Sequence, residues 1–108
     1  MIEVVNIRNA PPEAIYIGRA NPAHSLAASP LANPYHLTAD ADRGVVIAEY
    51  RQWLWRELRR SVNTPAATEL RRLHQVWRST GALYLACWCA PLACHGDVVK
   101  RAIEWLEG

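Results

Sequence analysis

Leu83-Tyr84-Leu85-Ala86-Cys87-Trp88-Cys89-Ala90-Pro91-Leu92-Ala93-Cys94-His95-Gly96-Asp97-Val98-Val99 holds all three cysteines of the chain and one of its four histidines. The apolar run Leu83 to Cys87, entered from Gly81, predicts a buried strand over 83–87. Pro91 cannot continue that strand, and from Gly96 onward Val99, Ala102, Ile103 and Leu106 recur at helical spacing, which predicts a helix over 96–106 packed on a sheet. The unit is strand, tight turn, helix. Cys94 and His95 fall just before the helix, where backbone N–H groups lack intrahelical partners and the positive end of the macrodipole favours an anion or a thiolate.

Working outward, Ile2 to Ile7 is rich in β-branched residues and ends before Pro11-Pro12, so it reads as a first strand; Ile15-Tyr16-Ile17-Gly18-Arg19 reads as a second. Between Ala20 and His36 three prolines, two asparagines and two serines leave no repeating apolar face. So long a connection in a small domain reads as a binding loop, because ordering it costs entropy. From about Asp42 to Arg60, Val46, Tyr50, Trp53, Leu54 and Leu58 make an amphipathic helix whose other face carries Arg51, Arg56, Arg59 and Arg60. Thr64-Pro65 is a helix start, Leu70, Leu73 and Trp77 form the next buried stripe, and Gly81 ends it. Trp53, Trp77 and Trp105 are assigned to the core and Trp55 to the surface. The order strand, strand, helix, helix, strand, helix predicts a single small α/β domain over 1–108, with a short, mostly parallel sheet and three helices packed on it.

The 108 residues are 51% hydrophobic, enough for a core but not for a second domain. No run of about 18 apolar residues occurs, and Met-Ile-Glu-Val-Val lacks the basic-then-apolar pattern of a secretion signal, so a cytoplasmic protein with no membrane partner is expected. An odd number of closely spaced cysteines argues against a disulfide framework and leaves thiols or metal ligands. A net charge of +2 is too mild to establish a nucleic-acid partner, although eleven of the twelve basic residues are Arg, and no helix–turn–helix or aromatic-basic strand motif is present.

With these elements placed, the chain resembles the domain of unknown function 4326, a family of bacteria and their phages. The resemblance runs over nearly the whole chain. It is carried by Val5-Asn6 with Arg8, by Tyr16-Ile17-Gly18-Arg19, by Ser29-Pro30-Leu31-Ala32-Asn33-Pro34-Tyr35, by Arg43 with Tyr50-Arg51-Gln52-Trp53-Leu54, and by Cys87 through Val99. The family usually has Gly at the place of Ala32 and often Pro at that of Ala93; neither departure removes a reactive group. The resemblance supplies no reaction, so the chemistry rests on the residues.

Cys87, Cys89, Cys94 and His95, spaced C-x-C-x4-C-H, would form a zinc site if the turn at Pro91 returned the second pair to the first. One residue between Cys87 and Cys89 and none between Cys94 and His95 is poor geometry for one tetrahedral ion, so no metal or other cofactor is expected, with zinc the alternative; Cys87 and Cys89 then read as small buried residues. Cys94 reads either as a nucleophile with His95 or Asp97 as its partner, or as part of an anion-binding turn in which Gly96 permits close approach and Asp97 caps the helix. If the second and last strands are parallel neighbours, Arg19 shares their C-terminal edge with Cys94. There Arg19 offers a fork for phosphate or carboxylate, Asn33 an amide, and Tyr35 a stacking face with a hydroxyl. His24, His36 and His74 have no partner visible in the sequence. The expectation is a small enzyme or enzyme-like domain that binds a nucleotide, nucleoside or other phosphorylated small molecule, with catalytic candidates Cys94, His95 and Asp97 and ligand-binding candidates Arg19, Asn33, Tyr35 and Gly96. The alternative is a non-catalytic zinc or nucleic-acid interaction module.

Overall fold

Three strands and three helices build the domain. Strand β1 is Ile2–Asn6, β2 is Ile15–Tyr16 and β3 is Leu83–Cys87; helix α1 is Arg43–Arg60, α2 is Pro65–Thr80 and α3 is His95–Glu107. The computed structural model describes residues 1–35 and 39–107; His36 lies outside them. Among the described residues β3 is the central strand of a sheet ordered β1-β3-β2, and both of its neighbours run parallel to it. Its composition explains the position: Leu83, Leu85, Ala86 and Cys87 are all buried, as a strand flanked on both edges and covered by helices requires. The register sets Ile2 against Leu83 and Asn6 against Cys87 on one side, and Tyr16 against Ala86 on the other.

The helices pack on one another, and α3 also lies against β1 and β3. Val99, Ala102 and Ile103 on α3 meet Leu70 and Leu73 of α2 and Tyr50 and Leu54 of α1 in one apolar core. Thr64 starts α2 as its sequence context predicts, accepting the Ala67 N–H at 3.1 Å and donating to the Glu57 carbonyl at 3.1 Å, which also ties α2 to the end of α1. Helix α2 ends at Gly81, whose N–H returns to the Trp77 carbonyl. Among the described residues no helix is long and apolar enough to cross a membrane.

Several boundaries differ from the sequence reading for local reasons. Strand β1 stops at Asn6 because the Asn6 side chain accepts the Arg8 N–H at 3.0 Å and turns the chain into a short 3-10 segment, Ile7–Asn9. Strand β2 is shorter than 15–19. Ile17 still donates to the Ala86 carbonyl, but the Gly18 carbonyl turns away to accept from Ser29, and the Tyr16 ring folds back over the space that a Gly18 side chain would need. Strand β3, by contrast, ends at Cys87 as its sequence predicts, so Cys89 lies in the following turn and is only half-buried.

The tryptophans divide differently from expectation. Trp105 is 58% exposed, because Val99, Ala102, Ile103 and Leu106 fix the inward stripe of α3 and position 105 falls on its flank. Trp55, assigned to the surface, is half-buried and meets Trp105 edge to face at 5.0 Å. Two histidines have partners that the sequence did not reveal: His24 packs on Trp88 with ring centroids 5.0 Å apart, and His74 Nε2 meets the Glu107 carboxylate at 2.8 Å.

Candidate functional site

The C-terminal edge of the parallel sheet opens into a cleft of about 390 Å³. Its walls come from four separate parts of the chain: Tyr16 at the end of β2 with Arg19 beyond it, Asn33 and Tyr35 in the long loop, Arg43 at the start of α1, and Cys87, Trp88, Cys89, Cys94 and His95 from the last strand–turn–helix unit. Five candidates named from the sequence, Arg19, Asn33, Tyr35, Cys94 and His95, therefore line one cavity. Gly96 and Asp97 do not.

The turn that follows β3 is shaped from across the sheet. Asn6 Nδ2 donates to the carbonyls of Trp88 and Ala90 at 3.1 and 2.9 Å, taking two acceptors that would otherwise leave the strand unpaired. Trp88 is held on three sides: its indole N–H donates to the Tyr16 hydroxyl at 3.0 Å, Arg8 lies over its ring at 5.3 Å, and His24 packs beside it. The Tyr16 hydroxyl in turn donates to the Arg19 carbonyl at 2.7 Å. The result returns Cys94 to Cys87, with their sulfurs 3.2 Å apart and both residues nearly excluded from solvent.

Cys94 is the N-cap of α3. Its sulfur accepts the Gly96 N–H at 3.3 Å, its carbonyl accepts the Asp97 N–H at 3.1 Å, and its own N–H donates to the Asp97 carboxylate at 3.1 Å, a reciprocal arrangement of the capping-box kind. The N–H groups of Cys94, Gly96 and Asp97 are thus engaged by the chain's own acceptors. Asp97 is a cap and lies outside the cleft. Gly96 has a packing role: a Cβ there would come within 2.8 Å of Val4 Cγ1 and 3.3 Å of Ile17 Cδ1, so its bare Cα lets the start of α3 approach the sheet.

The two buried sulfurs are in contact, and their ionisations are pushed in opposite directions. The thiol of Cys87 is drawn down to about 6, first by its hydrogen bond with Cys94 and then through hydrogen bonds from the backbone of Ala90 and Cys89, against the opposing effect of burial. The thiol of Cys94 is pushed up by the same hydrogen bond and by burial.

His95 is buried, and its Nε2–H donates to the Ile17 carbonyl at 2.8 Å. Burial lowers its pKa, outweighing the Ile17 hydrogen bond, and Arg19 lowers it further. The ring is neutral and anchored to the end of β2, with Nδ1 as its one lone pair. It also stands edge-on to Tyr50 at 5.1 Å.

Arg19 is a loop clamp. Its Nε donates to the Asn33 carbonyl and its Nη2 to the Tyr35 carbonyl, each at 2.8 Å, while Asn33 Oδ1 accepts the Tyr35 N–H at 2.9 Å. Just upstream of Asn33 the loop is also held by Tyr50, whose buried hydroxyl donates to the Leu31 carbonyl at 2.8 Å; its ionisation is pushed up by burial and by the Cys94 sulfur. Arg43 Nη1 donates to the Ala93 carbonyl at 2.9 Å, which closes the cleft between α1 and the turn. Sequence reading missed the roles of Asn6, Tyr16, Arg43, Tyr50 and Trp88. All five stand in the blocks that carry the family resemblance. Among the described residues no three His, Cys, Asp or Glu side chains form a group able to hold a metal ion.

Fold and cleft together define a small α/β domain with a ligand-sized cavity at the C-terminal edge of its parallel sheet and a buried pair of thiols in contact along its wall. The chain belongs to the family described as Domain of unknown function (DUF4326), whose model matches residues 4–105. No curated protein and no solved structure matches it.

Proposed function

We propose that this domain binds a nucleotide, nucleoside or other phosphorylated small molecule in the cleft between the long loop and the last strand–turn–helix unit, as a small enzyme or enzyme-like binding domain of the cytoplasm. The observation that carries the reading is the convergence of Arg19, Arg43, Tyr35, Trp88 and the thiol pair on one cavity of about 390 Å³, a volume within the usual range for small-ligand sites. Two guanidinium groups supply positive potential for a phosphate, and two aromatic side chains supply faces for a base or sugar. The position at the C-terminal edge of a parallel sheet is where α/β domains hold ligands. Three free thiols suit a reducing compartment. In the catalytic form of this reading the nucleophile is the Cys87 thiolate, with Cys94 as its proton partner and His95 as a neutral, anchored wall.

The test is equilibrium binding of a panel of nucleosides, nucleoside phosphates and inorganic phosphate to the full chain by calorimetry. Phosphorylated members are expected to bind more tightly than the parent nucleosides, and Arg43→Gln is expected to weaken them more than Arg78→Gln on the far end of α2. A panel in which no member binds, or in which the phosphate makes no difference, sinks the reading.

A further inference from the structure

We propose that Cys87 and Cys94 form a two-electron redox site, at which hydrogen peroxide converts the thiol pair to an intramolecular disulfide spanning the turn. This does not rest on the nucleotide reading, because its readout is the covalent state of the sulfurs.

Geometry carries the argument. The sulfurs stand 3.2 Å apart, so a disulfide of about 2.05 Å needs only a small further approach. Their contact is imposed from several directions, by Asn6 on the carbonyls of Trp88 and Ala90, by the Gly96 N–H on the Cys94 sulfur, and by the packing of Gly96 under Val4. Both cysteines line the cleft although they are only 2% and 3% exposed, so a molecule as small as peroxide reaches them where a bulky disulfide reagent does not. Cys89 lies in the same turn and is only half-buried, and the sulfur–sulfur contact joins Cys87 and Cys94.

The chemistry balances with peroxide as the sole oxidant. The Cys87 thiolate attacks one peroxide oxygen; an S–O bond forms, the O–O bond breaks, and hydroxide leaves, taking the Cys94 proton to become water. The Cys94 thiolate then attacks the Cys87 sulfur, the S–S bond forms, and the S–O bond breaks to release hydroxide. The sulfur pair loses two electrons, and peroxide is reduced to water and hydroxide.

The experiment treats the full wild-type chain with hydrogen peroxide, alkylates what remains, and analyses the tryptic fragment Ser79–Lys100, which carries all three cysteines. Expected is a fragment two hydrogens lighter with a single alkyl group on Cys89, returning to three alkyl groups when a dithiol reductant precedes alkylation. Cys89→Ser should give the same Cys87–Cys94 link. Cys94→Ser should stop at a sulfenic acid on Cys87 that dimedone traps. The proposal is overturned if the link includes Cys89, or if Cys87 and Cys94 both remain alkylatable after peroxide has oxidised Cys89. The wild-type result alone decides between these, whatever the folding of the variants.

Discussion

Asn6 and Cys87 face each other at the last register position of the β1–β3 pairing, and from there the Asn6 side chain reaches past Cys87 to the carbonyls of Trp88 and Ala90. An amide at the end of one strand thereby sets the turn that follows its neighbour. That turn returns Cys94 to within 3.2 Å of Cys87. The thiol pair is thus a tertiary product, built by a residue more than 80 positions away in sequence.

Replacing Asn6 with Ala removes both side-chain donors and leaves two partly buried carbonyls to find other partners. Each such loss costs about 1–3 kcal/mol. The expected outcome is a stability loss in that range, together with a rise in the Cys87 pKa toward that of an ordinary thiol, read from ultraviolet thiolate absorbance. A variant that loses stability yet keeps its low thiol pKa would show that the turn holds without Asn6.

The sulfur pair also makes stability depend on pH with a definite sign. In the folded chain the first thiol proton leaves near pH 6, whereas an unfolded thiol keeps it to about pH 8.5. Between these values the unfolded state binds more protons, so stability rises with pH. Above about pH 8.5 the order reverses, because Cys94 retains its proton in the fold while the unfolded chain loses both. His95 adds to the acid side: burial lowers its pKa, so below about pH 6.5 the unfolded imidazole takes a proton that the folded one resists. Urea midpoints measured across this range should pass through a maximum near the unfolded thiol pKa, and Cys87→Ser should flatten the rise on its acid side. A wild-type midpoint that is level from neutral to mildly alkaline pH contradicts the lowered Cys87 pKa.

Gly96 tests how closely α3 must approach the sheet. An added Cβ would sit 2.8 Å from Val4 Cγ1 and 3.2 Å from the Cys94 sulfur, and both neighbours are held by packing. Gly96→Ala is expected to destabilise by about 1–3 kcal/mol, the range for overpacking a filled core. Val4→Ala in the same chain should recover part of that loss, since it removes the nearest methyl group; double-mutant unfolding measures the coupling. Additive losses would place the clash elsewhere.

What the sequence disclosed and what it concealed follow the range of the interactions involved. Thr64 and the apolar stripe of α3 were legible because a cap and a helical period are local signals. The edge shared by Arg19 and Cys94 was legible once β2 and β3 were taken as parallel neighbours. The grip of Asn6 on the turn, the bond from Trp88 to Tyr16 and the anchoring of His95 by Ile17 were not, because each joins residues 72 or more positions apart through one hydrogen bond that no periodicity records. Trp105 was misplaced for a related reason: hydrophobicity marks it for the core, and only the orientation of the whole helix puts it on the flank.

The long loop is held by two clamps of different character, and they should fail differently. Tyr50 donates to Leu31 from a fully buried position, so Tyr50→Phe leaves a buried carbonyl without its donor and should cost about 1–3 kcal/mol. Arg19 donates to Asn33 and Tyr35 from an exposed position, where water replaces lost hydrogen bonds, so Arg19→Ala should cost less than about 1 kcal/mol in global stability. Local protection should show the opposite order. Hydrogen exchange at residues 33–35 should accelerate most in Arg19→Ala, because both of its acceptors lie there, whereas Tyr50→Phe should act most strongly around Leu31. If Arg19→Ala leaves exchange at 33–35 unchanged while phosphate binding falls, Arg19 serves the ligand directly and the clamp is incidental.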